Sequence, residues 1–203
     1  LPRFRSVVNL YKKEEKRINK EFVEAIHRNA KRLMALVTDL LELSKLDSKT
    51  YLNVQKISVR QLTEEVLQAF QNEMNQKKQV VTKKYLTDLV FADSQLLEQV
   101  LVNLLDNAIK YSPSEATIQI QWSETHSSTF LEISDNGPGI ESEHHGRIFE
   151  RFYRVDKGRS RDKGGTGLGL AIVKHIMIQH QGRISLRSSI DQGTTFTCEF
   201  PRQ

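Results

Sequence analysis

The sequence has 203 residues, of which 38% are hydrophobic and 27% charged, and its formal net charge is +5. This length suits one or two domains, and the composition is that of a globular chain rich in surface helix. No apolar run approaches the roughly 20 residues that a membrane-spanning helix needs, and no signal peptide opens the chain.

The positive charge is concentrated at the start of the chain. Residues 1–50 contain 12 Lys and Arg against 7 Asp and Glu, and the remaining residues balance. A basic segment of this kind could attract nucleic acid, an anionic membrane or an acidic protein, or it could be a solvated helix face. Aromatic platforms do not interleave with these charges, so we expect no nucleic-acid partner.

The two ends of the sequence bear on its origin and location. The chain begins Leu1-Pro2-Arg3 without a methionine, so we expect it to be part of a longer protein, in which a membrane anchor could precede it. Cys198 is the single cysteine, which excludes an internal disulfide and favours a reducing, cytoplasmic location. It lies in a strand-like run, where we expect an inert packing residue.

Residues 20–46 are predicted to form one long amphipathic helix. Apolar residues recur at steps of three and four, which is typical of a coiled coil or a four-helix bundle. Residues 3–16 predict a shorter helix, and two helices alone make a thin core. We therefore expect a homodimer that closes a four-helix bundle. The seam consists of Phe22, Ile26, Ala30, Leu33, Val37, Leu40 and Ser44.

The pattern changes near residues 48–51, and mixed strands and helices follow. Alternation with period two predicts strands, and wider apolar spacing predicts helices over 59–76 and 168–181. A third helix begins at Asp93 or Ser94 and ends at Ser112-Pro113, and Gly182 should stop the last helix. The fold class is then α+β: a helical hairpin over residues 1–50, and an α/β sandwich with a mixed sheet over residues 54–203. The strands are predicted over 54–58, 79–85, 89–92, 117–122, 129–134, 183–187 and 194–200.

Three polar residues share one face of the predicted central helix. Asn103, Asn107 and Lys110 are spaced by four and three, so their side chains lie one above another. An amide oxygen is a hard ligand that suits Mg²⁺, and a lysine supplies a point charge for phosphate. Two glycine-rich loops follow, at residues 135–139 and 164–169, and together these features predict a nucleotide site.

Five blocks of the sequence resemble, in order, the motifs of the ATP-binding fold shared by histidine kinases, DNA gyrase, mismatch-repair ATPases and a heat-shock chaperone. Residues 103–112 resemble the N box and residues 135–139 the first glycine box. Residues 148–154 resemble the F box and residues 165–169 the second glycine box, while residues 193–196 resemble a third. Any one glycine run would be weak, but the combination is specific.

The resemblance implies a role for each candidate residue. Asp135 would accept a hydrogen bond from the adenine amine, and Asn107 would bind Mg²⁺. Lys110 and an F-box arginine would contact the phosphates of ATP as catalytic residues, with Arg154 favoured over Arg151. Glycines let the backbone approach the ligand, and free amides before a helix suit a triphosphate. Residues 152–164 resemble a mobile, basic ATP lid. The remaining predicted contacts are Asn103, Tyr111, Gly137, Gly139, Ile140, Gly165, Thr166, Gly167, Leu168, Gly169 and Thr195.

Asn103 departs from the hydrolytic members of this larger group, which resemble Glu-x-x-x-Asn at these positions. An amide cannot act as a general base at neutral pH, so we expect ATP to be bound but not efficiently hydrolysed. Residues 29–47 resemble the second helix of the histidine kinase dimerisation hairpin. Leu1-Pro2 resembles the tail of its phosphoacceptor motif, which would place the reactive histidine five positions before Pro2.

We therefore expect the cytoplasmic core of a sensor histidine kinase, which phosphorylates a histidine and passes the phosphoryl group to an aspartate of a response regulator receiver domain. A non-catalytic ATP-binding dimerisation module, or pseudokinase, stays open as the alternative, and a serine kinase of the anti-sigma type fits the long hairpin poorly. His27 is followed by Arg28 and not by an acidic residue, so we favour a surface histidine there.

Overall fold

A computed structural model describes residues 22–31, 33–41, 43–44, 52–155 and 165–202. Helical residues 22–31, 33–41 and 43–44 lie where the sequence predicts one long helix, and we call them the N-terminal helix. The predicted helix over residues 3–16 and most of the basic lid lie outside the described residues.

The seam of the N-terminal helix faces away from the rest of the described chain. Phe22, Ile26, Leu33, Val37 and Leu40 are between 46% and 66% exposed. Its other side contacts the body of the protein, because Leu43 is buried in the hydrophobic core and Leu36 packs against that core. These apolar side chains therefore form an exposed hydrophobic surface on this chain.

The helix predicted over residues 59–76 is divided in two. Helix α1 spans Val59–Ala69, with Ser58 as its N-cap, and helix α2 spans Gln71–Lys77. The expectation of one helix over residues 59–76 is therefore wrong at Phe70, whose φ of −95° and ψ of 4° depart from helical values. Phe70 packs against the core, so tertiary packing decides the break that the periodicity does not show.

Seven strands form two sheets in the described ranges. Strand β1 (Val54–Ser58) pairs antiparallel with β3 (Leu89–Asp93). The other strands are β2 (Val80–Tyr85), β4 (Thr117–Glu124), β5 (Ser128–Asp135), β6 (Arg183–Ser188) and β7 (Thr194–Pro201). They form one mixed sheet in the order β2-β4-β5-β7-β6, in which β2 and β4 are parallel and the other pairs antiparallel.

Two further helices complete the layer over this sheet. Helix α3 spans Ser94–Tyr111 and begins at the predicted cap, since the Asp93 carboxylate accepts hydrogen bonds from the backbone amides of Gln95 and Leu96. It ends at Ser112, as predicted. Helix α4 spans Gly169–Gln179. The left-handed residue after α4 is Gln181, with φ of 56°, and not the predicted Gly182.

The core lies between the mixed sheet and the helices. The inward residues of the central strands alternate, as period two requires, and include Trp122, Ile133 and Phe200. Trp122 donates its indole N–H to Thr63 Oγ1 of α1 at 3.0 Å, which satisfies the buried polar atom. The expected α+β fold, with helices on one face of a mixed sheet, is confirmed.

Two other expectations concern Cys198 and membrane spans. Cys198 is fully buried on β7, and burial raises the pKa of its thiol, so it is a packing residue as predicted. Among the described residues, none of the helices combines the length and the apolar composition needed to cross a bilayer.

Candidate nucleotide-binding site

Helix α3 carries a polar face and an apolar face. Asn103, Asp106, Asn107, Lys110 and Tyr111 line one cavity of about 600 Å³. The opposite face is buried in the core and anchors the helix, so the polar residues have a fixed support. The buried residues of α3 are Leu97, Val100, Leu101, Leu104, Leu105, Ala108 and Ile109.

The polar side chains of α3 have defined partners. Lys110 Nζ lies 2.6 Å from Asp106 Oδ2, one turn earlier on the helix. Asn103 Nδ2 donates to the carbonyl of Gln99 at 2.9 Å, which leaves its Oδ1 directed at the start of α4. A Cβ added to Gly169 would come within 2.6 Å of that oxygen, so Gly169 allows the two helices this close approach.

Asp135 ends strand β5 at one wall of the cavity. Its Oδ1 accepts a hydrogen bond of 2.8 Å from the backbone amide of Gly137, which fixes the carboxylate at the start of the first glycine loop. Burial raises the pKa of Asp135, and the hydrogen bond from Gly137 opposes that shift in part. A half-buried acceptor of this kind can recognise an amine N–H.

The first glycine loop is held against the end of β6. Gly139 has a φ of 73°, and a Cβ at this position would lie 1.9 Å from the carbonyl oxygen of Ser189. The next residue, Ile140, donates its backbone N–H to Ser188 Oγ at 2.9 Å. The carbonyl of Ile140 lies 2.9 Å from His145 Nε2. These contacts hold Gly139 and Ile140 at the cavity wall.

The second glycine loop leads into α4 and lines the same cavity as Asp135. Gly165, Thr166, Gly167 and Gly169 line the cavity, and α4 begins at Gly169. The N-terminus of α4, which is the positive end of its helix dipole, therefore lies at the cavity, as anion sites require. The backbone amide of Leu168 donates to Thr166 Oγ1 at 3.3 Å. The Thr166 hydroxyl donates a hydrogen bond of 2.6 Å to Asp39 Oδ2 of the N-terminal helix.

The F-box segment closes the side between the two glycine loops. Tyr153 lines the cavity, and its hydroxyl lies 2.8 Å from His144 Nδ1. Arg154 also lines the cavity, and a Cβ at Gly165 would lie 3.9 Å from its guanidinium and 3.3 Å from the hydroxyl of Tyr111. Arg154, Tyr111 and Gly165 thus converge at one end of the cavity.

The structure brings together most of the residues predicted from the sequence, although they come from distant parts of the chain. The second glycine loop, the Asp135 carboxylate and the oxygen donors of α3 therefore line the same cavity. The predicted residues that line the cavity are Asn103, Asn107, Lys110, Tyr111, Asp135, Gly139, Ile140, Arg154, Gly165, Thr166, Gly167 and Gly169.

Three predicted residues lie elsewhere. Leu168 is fully buried in the core, and Gly137 is absent from the described lining. Thr195 points to the opposite side of β7, where its hydroxyl lies 2.9 Å from Ser134 Oγ. Successive strand residues face opposite ways, so its neighbour Thr194, which pairs with Asp135, lines the cavity instead.

Sequence reasoning also missed several lining residues. Ala35 and Asp39 come from the N-terminal helix, and no local pattern indicates that this helix reaches the cavity. Asp106 lies in the middle of the N box, and its spacing of four from Lys110 is a sequence signal that would have predicted it as a site residue. Thr194 could have been chosen from the alternation of buried residues along β7.

The donors at the cavity suit a divalent cation that prefers oxygen. Asn107 offers an amide oxygen, and the Asp106 carboxylate lies beside it on the same helix and the same cavity. Hard oxygen donors of this kind are the usual ligands of Mg²⁺, which is often held by few protein groups together with substrate phosphates. The residues present therefore fit the predicted magnesium.

Comparison with known proteins agrees with this geometry. The family described as histidine kinase-, DNA gyrase B- and HSP90-like ATPase matches residues 92–203. The sensor histidine kinase YkoH of Bacillus subtilis (strain 168) is 36% identical over 200 residues, which cover 98% of this chain and 43% of that protein. The sensor histidine kinase WalK of the same strain is 38% identical over 194 residues, covering 93% and 31%.

Solved structures give the same result. The Acinetobacter baumannii histidine kinase AdeS superposes with a TM-score of 0.72 at 31% identity and covers 85% of this chain and 79% of that chain. The chain belongs to the histidine kinase-, DNA gyrase B- and HSP90-like ATPase family, and it carries the ATP-binding domain of a sensor histidine kinase. It spans less than half the length of YkoH and WalK.

Proposed function

We propose that this chain is the catalytic core of a sensor histidine kinase, which binds Mg-ATP in the cavity and transfers its γ-phosphoryl group to a histidine of the dimerisation helices. The observation that carries the proposal is the convergence of Asp135, Lys110 and the Gly165–Gly169 loop on one cavity. The full-length kinase ShkA, which is 25% identical with a TM-score of 0.77 over 90% of this chain and 38% of that one, was solved in complex with AMPPNP, an ATP analogue.

Each of these residues is assigned to one part of the ATP molecule. Asp135 accepts a hydrogen bond from the adenine amine at one wall, and Tyr111 lies near the base or the ribose. Lys110 and Arg154 neutralise phosphate charge, while the amides of the second glycine loop cradle the phosphate oxygens. Asn107 would hold Mg²⁺, which supplies further charge neutralisation when bound. The protein's contribution is thus positioning and electrostatic stabilisation.

Asn103 supports transfer to a protein group over hydrolysis. By the resemblance, Asn103 occupies the position of the glutamate that activates water in the hydrolytic members, and an amide cannot act as that base. Its Nδ2 donates a hydrogen bond to the carbonyl of Gln99. In the proposed reaction a histidine ring nitrogen attacks the γ-phosphorus, the bond to the β–γ bridging oxygen breaks, and ADP leaves. The attacking nitrogen is the unprotonated one, so the proton is lost to solvent from the other ring nitrogen. The phosphoryl group then passes to an aspartate of a response regulator.

The proposed organisation is a dimerisation hairpin over residues 1–50 and a catalytic domain over residues 54–203. The exposed seam of the N-terminal helix supports a homodimer, because five apolar side chains there would otherwise stay in water. Val37→Glu should shift the chain toward the monomer in light-scattering measurements, whereas Glu24→Gln on the same helix should not. A cytoplasmic location, a membrane anchor elsewhere in the protein and the receiver-domain partner remain parts of the proposal.

The decisive experiment uses the protein extended upstream of Leu1 and γ-labelled ATP with Mg²⁺. We expect a phosphoprotein that is labile in acid, as a phosphohistidine is, and whose label passes to a receiver domain. Asn107→Ala should abolish labelling. An acid-stable product would indicate a serine kinase instead. Tight ATP binding without any transfer would support the pseudokinase, and rapid ATP hydrolysis by this chain alone would refute the proposal.

A further inference from the structure

The C-terminal end of α3 is held by a lysine that lies outside the cavity lining. Lys77, the last residue of α2, places its Nζ 2.6 Å from the carbonyl oxygen of Ile109. The same ammonium lies 3.1 Å from the carbonyls of Lys110 and Ser112. These distances are those of hydrogen bonds, and an ammonium has three donors to give.

The residues after Lys77 extend this contact. Gln79 is buried, and its Nε2 donates to the carbonyls of Ile109 at 3.2 Å and Pro113 at 3.0 Å. The backbone amide of Glu115 in turn donates to the carbonyl of Lys77 at 2.8 Å. Residues 77–79 and the turn after α3 therefore form one hydrogen-bonded unit, which we call the α3 clasp.

The clasp acts on the part of α3 that faces the proposed nucleotide. The last carbonyls of a helix have no partner within it, and a cation is favoured there by the helix dipole. The carbonyls bound by Lys77 belong to Ile109 and Lys110, so they flank the Cα atom from which the Lys110 side chain leaves. Holding these two peptide groups in place fixes the position of the Lys110 Cα atom, from which its side chain extends.

We propose that Lys77 is a positioning residue for phosphate recognition, which acts by holding the backbone of Lys110. The inference rests on the proposed function, since Lys110 is taken there as a phosphate contact. A half-buried lysine at this place could have two other roles. A purely structural cap would change stability without changing ligand preference, and a distant charge would attract ATP independently of Lys110.

The test compares Lys77→Met with Lys77→Arg in calorimetric titrations of ATP and adenosine. We expect Lys77→Met to weaken ATP binding by about tenfold, because small displacements of a positioned group are costly, and to leave adenosine binding within about twofold. Lys77→Arg keeps a cation with several donors and should restore most of the affinity. Lys78→Met removes the same charge from an exposed neighbour and should have little effect.

A double-mutant cycle separates the three roles. If Lys77 acts through Lys110, then Lys77→Met changes ATP affinity by less than about twofold once Lys110→Met is present, because the coupling energy is then nearly the whole effect. Equal effects of Lys77→Met in both backgrounds would overturn the inference, as a distant charge predicts. Equal weakening of ATP and adenosine would overturn it too, as a general structural defect predicts.

Two controls keep the result interpretable. Should Lys77→Met fail to fold by circular dichroism, Lys77→Gln enters the same cycle, because an amide still donates to the carbonyls but lacks the ammonium's third donor and its charge. Wild-type protein that fails to bind ATP would refute the proposed function itself. Wild-type protein that binds ATP, with Lys77→Met binding it equally well, would refute the role of Lys77 alone.

Discussion

The Thr166 hydroxyl donates a hydrogen bond of 2.6 Å to the carboxylate of Asp39, although the two residues are 127 positions apart in the chain. Asp39 belongs to the N-terminal helix, and Thr166 lies in the glycine loop that begins α4. Both line the cavity. The Asp39 carboxylate therefore lies at the N-terminus of α4, where backbone amides and the helix dipole favour an anion.

Neutralising Asp39 should strengthen ATP binding. In Asp39→Asn the side chain keeps its shape and can still accept the hydrogen bond from Thr166, but it no longer repels a triphosphate. At separations of several ångströms near a protein surface, loss of one like charge corresponds to about 1 kcal/mol, or about fivefold in affinity. Isothermal titration with ATP measures the change, and adenosine should bind as before.

Glu24→Gln is the matched control for Asp39→Asn. Glu24 lies on the same helix, is exposed and does not belong to the cavity lining in the described part of the chain. A similar gain from Glu24→Gln would attribute the effect to net charge. A loss of ATP affinity in Asp39→Asn would contradict the repulsion argument and indicate that the carboxylate helps to hold the bound metal.

Lys110 should discriminate ATP from adenosine. Its ammonium lies 2.6 Å from Asp106 Oδ2 at the cavity wall, where it can bind a phosphate as a point charge. We expect Lys110→Met to weaken ATP binding by about 10- to 100-fold, because a hydrogen bond to a charged group contributes about 1.5–3 kcal/mol, while adenosine binding is kept.

Lys84→Met provides the comparison for Lys110→Met, because Lys84 is exposed on the distant strand β2 and its loss changes net charge equally. ATP binding close to wild type in Lys110→Met would remove this lysine from the site. A parallel loss of adenosine binding would point to damage of α3 as a whole.

Local signals predicted the elements that carry the site. The Asp93 cap and the Ser112-Pro113 stop bound α3 in both sequence and structure, because capping depends on residues within one turn. The alternation that buries Trp122 and Ile133 likewise depends on neighbours two residues apart. The glycine loops and the N box could be assigned to one site because they resemble, in order, the motifs of a known ATP-binding fold.

Contacts between distant segments could not be predicted in this way. Asp39 reaches Thr166 only because the N-terminal helix packs on the core through Leu43, and no spacing in the sequence shows this. The third glycine box predicts Thr195 as a nucleotide contact. In the structure Asp135 pairs with Thr194 of β7, and Thr194 is the residue that lines the cavity. The clasp by Lys77 spans more than thirty residues and satisfies backbone carbonyls, which carry no sequence signal.

Asp135→Asn should remove adenine recognition and yet stabilise the free protein. Burial raises the pKa of Asp135, so the folded state binds a proton more readily than the unfolded state does. Ionisation therefore opposes folding, and stability falls as the pH rises from the ordinary aspartate pKa through the raised value. An uncharged amide avoids this cost, and it can still accept the hydrogen bond from Gly137.

Adenine nucleotides should bind Asp135→Asn about 100-fold more weakly, because the amide faces the exocyclic amine with a weaker acceptor or an opposed donor. Melting temperatures with and without ATP check both halves of the prediction. Asp88→Asn, at an exposed carboxylate that does not belong to the described cavity lining, should leave both nearly unchanged. A lower melting temperature for unliganded Asp135→Asn would contradict the linkage argument.

His180 should make the stability of the domain depend on pH through the start of α3. Its Nδ1 lies 2.9 Å from the carbonyl of Ile176 and must donate to it, which leaves Nε2 to accept the backbone N–H of Asp93 at 3.0 Å. Only the neutral ring can do both. The ring packs edge-on against Phe200, and burial lowers the pKa of His180.

A lowered pKa means that the folded state resists protonation more than the unfolded state, whose histidine titrates near 6.5. The contribution of His180 is therefore fully present above pH 6.5, and it is lost as the pH falls from there toward the folded-state pKa. Urea denaturation between pH 8 and pH 5 should show this loss in wild type and much less of it in His180→Gln, which does not titrate. His126→Gln, at an exposed turn, should retain the wild-type slope. Parallel pH profiles for wild type and His180→Gln would mean that the ring protonates in place, and that the hydrogen bond to Asp93 does not hold the start of α3.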